Sequence, residues 1–404
     1  VPSARNPARQ LPRKSFKDWF DRDLVRETRV RIAAVEPRFD GPRFESLAAD
    51  GLENLEMMAR VGQIADALHR TLPTPTAPAL GALVRALPPR TADRRDASGN
   101  ASGEASTEAP AHGNLLWPWG EFIARYGLDD VDASFQAMLE LTQRFSAEFA
   151  IRPFLARDPE GMLRRLAPLV SHPDPHVRRW VSEGTRTRLP WGKRVPSLEA
   201  PAMAAIRLEL LAALRHDPSR YVRRSVANHL QDLLRDDRGL ALPVLAAWVR
   251  EGAESTDWIV RHAARGLLRA GDAEVLALFG FEGVGLKVEV AEFSASRDRV
   301  AVGDEITLAL RLRNNGADEV RLRLDYLMEH PGARERQRRK VFRIGDASVR
   351  PGEELYRTVS HAFVHRTIRD VRPGLHRFTL QLNGSALAVI EVTVSESLPR
   401  PLPA

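Results

Sequence analysis

The 404-residue chain contains no cysteine. This removes disulfides, thiolate metal sites, iron–sulfur ligation and thiol nucleophiles together, and it is compatible with a reducing compartment. No apolar run approaches the roughly 20 residues that a membrane helix needs. A Walker loop, a dinucleotide-binding glycine fingerprint and a His-Glu-x-x-His string are all missing. His172 and His176 flank a Pro-containing turn, and His361 and His365 fall in one strand pattern. Neither pair has a third ligand in view, so no metal and no cofactor are expected. Residues Val1 to Lys14 are basic and Pro-rich with no apolar core, which is not the pattern of a signal peptide, and a start at Val suggests a processed chain. The expected location is cytoplasmic, at the nucleoid.

Lysine is scarce as well. Five lysines stand against 55 arginines, and the formal net charge is +7 with a sequence pI near 10.1. Codon bias in a GC-rich genome produces such an excess, and Arg forks also suit phosphate recognition. The balance favours a polyanionic partner without naming one.

At roughly 100–200 residues per domain the length fits two or three domains. After a basic tail at 1–15, helical spacing runs through Phe16 to Val35, Phe44 to Leu72 and Ala79 to Leu87. Residues 88–114 hold Ser, Ala, Gly, Pro and charge, too little to offset their ordering entropy, and read as a mobile insertion. Helical patterning resumes at Leu115. Asp174-Pro175-His176-Val177-Arg178-Arg179 aligns with Asp217-Pro218-Ser219-Arg220-Tyr221-Val222-Arg223-Arg224, and a third copy is Asp257-Trp258-Ile259-Val260-Arg261-His262. The valines lie 45 and 38 residues apart. An Asp/Pro turn opening an amphipathic helix, with Val inward and Arg outward, at this period is the pattern of HEAT-like repeats. The helical repeat domain is expected over 16–280.

Near residue 281 the period changes from 3.6 to 2. Seven alternating segments separated by turn clusters such as Asn314-Asn315-Gly316 and Asn383-Gly384 predict an immunoglobulin-like β-sandwich over 281–396, followed by a Pro-rich tail at 397–404. The expected fold class is an all-α HEAT-like solenoid followed by an all-β sandwich.

One string stands apart: Ser182-Glu183-Gly184-Thr185-Arg186-Thr187-Arg188-Leu189-Pro190-Trp191. It brings a carboxylate, two guanidinium forks and an aromatic ring close together, although a helix end with a packing Trp has the same composition. With Val222-Arg-Arg-Ser-Val-Ala-Asn-His-Leu-Gln-Asp232 one repeat later, it resembles the HEAT-repeat (AlkD-like) DNA alkylation-repair glycosylases, specifically the AlkC branch. Leu324-Asp325-Tyr326, Lys340-Val-Phe and Arg372-Pro373-Gly374-Leu-His376 resemble the immunoglobulin-like domain appended in part of that branch.

The resemblance implies a monofunctional, cofactor-free and monomeric enzyme acting on double-stranded DNA. It would hydrolyse the N-glycosidic bond of cationic 3-methyladenine and 3-methylcytosine without flipping the base. Glu183 and Trp191 match the family's loop carboxylate and aromatic, Glu148 a carboxylate in the preceding repeat, and Asp232 the acid after Asn-His-Leu. Arg152, Arg186, Arg188, Arg223 and Arg224 are candidate phosphate contacts. Pro331 to Lys340, read as a long basic hairpin loop, adds Arg334, Arg336, Arg338, Arg339 and Lys340. A second loop adds Arg366, Arg369 and Arg372. A catalytically silent DNA-damage sensor and a protein–protein scaffold on the same repeats remain open alternatives.

Overall fold

Several helix starts along the chain are set by aspartates that satisfy the free N–H groups of the first turn. Asp21, Asp40, Asp158, Asp174, Asp237 and Asp272 each accept such bonds through the side chain. The computed structural model describes residues 15–90, 116–283, 287–332, 337–365 and 371–396. The tails at 1–14 and 397–404 and nearly all of the expected insertion at 88–114 lie outside these residues. The chain divides into two compact units, Val1–Ala263 and Ala264–Ala404.

After a 3-10 turn at Phe16–Trp19, the helices are α1 (Arg22–Ala33), α2 (Gly41–Ala49), α3 (Met57–Thr71), α4 (Thr76–Arg85), α5 (Trp117–Tyr126), α6 (Val131–Thr142) and α7 (Arg152–Arg157). Next come α8 (Pro159–Leu166), α9 (Pro175–Glu183), α10 (Pro201–Leu214), α11 (Arg220–Asp236), α12 (Arg238–Glu251), α13 (Glu254–Ala270) and α14 (Ala273–Leu278). The first two helices expected from the sequence are each broken in two. Asp21 caps α1 and so ends the 3-10 turn before it. Gly51, at φ +59°, turns the chain between α2 and α3 in the left-handed region that favours glycine.

Helix α11 packs on α9, and α10 on both. Val177, Val222 and Val260 are all buried, as the motif requires. The arginines after them do not simply face out. Arg178 Nη1 donates to the carbonyls of His172 and Pro173, and Arg223 Nη1 does the same to Asp217 and Pro218. Arg178 also forms a bidentate pair with Asp217 of the next repeat, at 2.5 and 3.0 Å. Asp257 departs from the pattern too. It lies inside α13, because without a proline the helix already begins at Glu254.

The second unit contains β1 (Val288–Ala295), β2 (Arg299–Ala301), β3 (Glu305–Asn314), β4 (Val320–Pro331), β5 (Gln337–Val349), β6 (Glu354–Ala362), β7 (Gly374–Leu382) and β8 (Ser385–Ser395). They form two sheets, ordered β1-β3-β6 and β2-β8-β7-β4-β5. Ile306 and Leu308 from the first meet Tyr326, Met328, Phe378 and Val392 from the second in one core, the arrangement of an immunoglobulin-like sandwich. The three-residue β2, parallel to β8, is too short to give a periodic signal.

Of the long basic loop expected at 331–340, Pro331 and Gln337–Lys340 are instead strand, and 333–336 lie outside the described residues. Arg338, Arg339 and Lys340 pair in register with His330, Glu329 and Met328 as β5 folds back on β4. Arg334 and Arg336 fall outside the described residues, as do Arg366 and Arg369, whereas Arg372 is described and exposed. Gly271 (φ +76°), just after α13, packs its backbone against Gly384 (φ +80°) in the β7–β8 turn. A Cβ on Gly384 would sit 2.7 Å from Gly271 Cα. Among the described residues no helix is long and apolar enough to cross a membrane.

Candidate active site

Helix α9 ends on Glu183, and Gly184 follows because nothing larger fits. A Cβ there would lie 2.9 Å from the Trp180 carbonyl and 3.2 Å from Ile151 Cγ2. The chain then runs through Thr185–Trp191, the segment singled out in the sequence. Its geometry is an alternating network of acids and guanidiniums.

Arg186 lies at the centre. Nη1 donates to Glu183 Oε1 at 2.7 Å and Nε to Asp232 Oδ2 at 2.8 Å. Ser225 Oγ, on α11, donates to Glu183 Oε2 at 2.6 Å. Arg179, one turn before Glu183 on α9, donates to Glu148 Oε2 at 2.8 Å and lies 3.8 Å from Glu183 Oε1. Its guanidinium sits 4.9 Å from the centre of the Tyr221 ring. Glu148 is further held by Ser146 Oγ at 2.7 Å. The three sequence-expected carboxylates therefore sit in one network, Glu148 joined to Glu183 by Arg179 and Glu183 to Asp232 by Arg186.

The electrostatics divide the two central acids. Burial pushes the Glu183 carboxyl up, but the Arg179 and Arg186 charges and the Ser225 bond outweigh it and hold the group below the usual carboxylate range. For Asp232 burial wins. The Arg186 hydrogen bond offsets only part of it, the neighbouring Asp236 adds to it, and the carboxyl stays above its ordinary value.

Two expected phosphate contacts point inward. Arg186 is buried in the network, and Arg152, 3% exposed, donates to the carbonyls of Arg186 and Lys193. Burial and the Arg186 charge lower the Arg152 guanidinium to about 10. Arg223 serves its own turn. Arg188 is partly exposed and donates to Asp236 Oδ1 at 2.7 Å, and Thr187 Oγ1 donates to Oδ2 of the same residue. Arg224 is exposed.

Trp191 closes the segment at φ +63° and is 74% exposed. Its ring lies 6.3 Å from that of Trp117, tilted by 23°, and 6.2 Å from that of Phe16. Trp117 in turn stacks on Phe149 at 4.8 Å.

Behind the network, Arg207 is fully buried. It donates to the Leu198 carbonyl at 2.6 Å and faces His229 Nε2 at 3.3 Å. A guanidinium only donates, so His229 must accept there and is neutral. Burial, with Arg207 and Arg186 adding to it, drives the His229 pKa well below its ordinary value.

Arg179, Ser225, Asp236, Trp117, His229 and Arg207 were not singled out in the sequence. For three of them a spacing signal existed: Arg179 is four residues before Glu183, and Ser225 and Asp236 lie seven before and four after Asp232, so each shares a helix face with a candidate acid. Among the described residues no group of three or more His, Asp or Glu is placed to hold a metal ion.

Residues 289–396 match the family described as Uncharacterised protein YhaZ, C-terminal Ig-like domain. The chain is 30% identical over 370 residues to Uncharacterized protein YhaZ of Bacillus subtilis (strain 168), a span of 91% of this chain and 96% of that protein. The structure is similar to that of Pseudomonas fluorescens alkylpurine DNA glycosylase AlkC bound to DNA containing an abasic site analog. The TM-score is 0.79 at 28% identity, over 94% of this chain and 99% of that one. A match of this extent, running through helices and sandwich alike, places the chain in the AlkC branch of the HEAT-repeat alkylation-repair family, in the form that carries a YhaZ-type C-terminal immunoglobulin-like domain.

Proposed function

We propose that this protein is a monofunctional DNA glycosylase that releases cationic N3-alkylated bases, 3-methyladenine and 3-methylcytosine, from double-stranded DNA. The observation that carries the reading is the pair of buried carboxylates, Glu183 and Asp232, held on the single guanidinium of Arg186 at the root of the loop that presents Trp191.

The two acids suit different tasks. A methylated base leaves as a neutral molecule without a proton being supplied, so the general acid of ordinary glycoside hydrolysis is not needed. What remains is a sugar with oxocarbenium character and a water to capture it. Glu183, held ionised by two guanidiniums, supplies negative charge where positive charge develops. Asp232, with its raised pKa, is the better proton acceptor and is assigned to the attacking water. The exposed Trp191 ring offers a π-face to the cationic sugar, worth roughly 0.5–2 kcal/mol. The base stays in the helix stack during the reaction.

In this reading Arg152, Arg186 and Arg223 are positioning residues. Phosphate contacts fall to the exposed cations Arg188 and Arg224 in the helical unit and Arg338, Arg339, Lys340 and Arg372 in the sandwich. The protein acts as a monomer at the nucleoid.

The test is a set of duplexes with one lesion each, incubated with excess protein and assayed for abasic sites. Release of 3-methyladenine and 3-methylcytosine, with uracil and hypoxanthine retained, is the expected result. Efficient uracil release would overturn the mechanism and require a base-flipping pocket. DNA binding with no release from any duplex would favour a silent damage sensor.

A further inference from the structure

Trp191 combines two features that do not sustain each other. A non-glycine residue at φ +63° is strained, and a side chain that is 74% exposed has little packing to fix its rotamer. Two rings limit it. One is Trp117, buried and itself stacked on Phe149. The other is Phe16, from the N-terminal end of the described chain.

The turn at Phe16–Trp19 is fastened from several sides. Phe20, fully buried, meets Phe16 edge-on at 6.1 Å and Trp117 at 6.4 Å. Arg60, 5% exposed on α3, donates to the carbonyls of Lys17 at 3.1 Å and Phe20 at 3.3 Å, and to those of Glu53 and Leu55. Asp18 lies 3.8 Å from the same guanidinium, and Lys17 pairs with Glu56 at 3.0 Å. A buried cation whose hydrogen bonds join the carbonyls of this turn to those of Glu53 and Leu55 fixes where the turn sits.

We infer that Phe16 is a positioning residue: the N-terminal turn, clamped by Arg60, exists to hold the Phe16 ring against Trp191 and so fix the indole in its working orientation. This rests on the reading of Trp191 as the aromatic that meets the sugar. The consequence is that the N-terminal segment belongs to the active site, although nothing in its own sequence carries chemistry. Loss of one such ring contact corresponds to about a 3- to 10-fold change in population between rotamers.

The experiment uses the full chain labelled with 5-fluorotryptophan, whose seven tryptophans give a resolvable fluorine spectrum. Trp191→Phe assigns the Trp191 resonance. In Phe16→Ala that resonance should shift and narrow as the ring gains freedom, and single-turnover base release at saturating DNA should fall about 3- to 10-fold. DNA affinity should stay within two-fold, and Phe16→Tyr should restore both readouts. If Phe16→Ala does not fold, Phe16→Leu keeps the volume without the ring and is read the same way. An unchanged Trp191 resonance, or unchanged release beside a shifted resonance, overturns the inference. The spectrum needs no activity. Absence of base release by the wild type would therefore count against the glycosylase reading, while the fluorine shift still decides whether Phe16 holds the indole.

Discussion

Ser225 Oγ donates to Glu183 Oε2 at 2.6 Å, tying the last residue of α9 to the middle of α11 one repeat later. With Arg186 on the other oxygen, both Glu183 oxygens are occupied by protein donors, so its position is set before DNA arrives. Such preorganisation costs nothing at the moment of reaction, which makes a carboxylate effective as a fixed charge.

Glu183→Gln keeps the shape and removes the charge. Base release from 3-methyladenine DNA should fall by about 100-fold or more, because the loss appears only when the sugar becomes cationic. DNA affinity should change by no more than a few-fold. Unchanged single-turnover release would take Glu183 out of the mechanism.

The pH dependence should report Arg179. The Glu183 carboxyl is held below its ordinary value, so its charge persists as pH falls and is lost only on passing through that lowered pKa. Asp232, whose carboxyl is raised, is protonated first as pH falls, so Glu183 contributes a second, lower step to the rate profile. Arg179→Gln removes one of its two guanidiniums and should move that lower step to higher pH. Arg179→Lys should move it back. Superimposable acid limbs for the wild type and Arg179→Gln would show that Arg179 does not act on Glu183.

A different group governs acid stability. His229 is buried and neutral, with a pKa far below the unfolded value of about 6.5. The folded state binds fewer protons here, so the contribution of His229 is complete above about 6.5 and is lost as pH falls below it. The melting temperature of the wild type should therefore drop between pH 7 and pH 5 by more than that of His229→Gln, whose amide oxygen can still accept from Arg207. Equal drops would assign the acid sensitivity to other groups.

Strand β5 gives the salt prediction. Arg338 and Lys340 are exposed on it. If each neutralises one phosphate, Arg338→Ala with Lys340→Ala should reduce the slope of log affinity against log salt by about 1.8 and leave base preference alone. A slope equal to that of the wild type would place the sandwich away from the backbone.

How much of this could be read from the sequence depends on where each residue's partner sits. Val177, Val222 and Val260 declare themselves through spacing, because the face they bury is set by their own helix. Arg178 and Arg179 are chemically identical neighbours. One spans a turn to Asp217 and the other turns inward to Glu148, and those partners come from different repeats, which no local pattern encodes. The same reason hid the fate of Arg152, whose acceptors lie 34 and 41 residues away. Arg338 and Arg339 carry no strand signal because their charge masks the alternation of a strand whose register is fixed by β4.

The contact of Gly271 with Gly384 has a consequence for how this architecture can be cut and recombined. Asn383, beside Gly384, donates to the Glu282 carbonyl at 2.6 Å, and its own side-chain oxygen accepts from Arg323 N at 2.7 Å. The tip of the β7–β8 hairpin is thus seated on chain that precedes the first strand. A fragment begun at Phe281 would lose Gly271 from that seat and leave the hairpin backbone facing water. One begun at the end of α13 would carry the seat along. A gene fusion that transplants the sandwich onto another protein should therefore take the last helical turns as part of the graft.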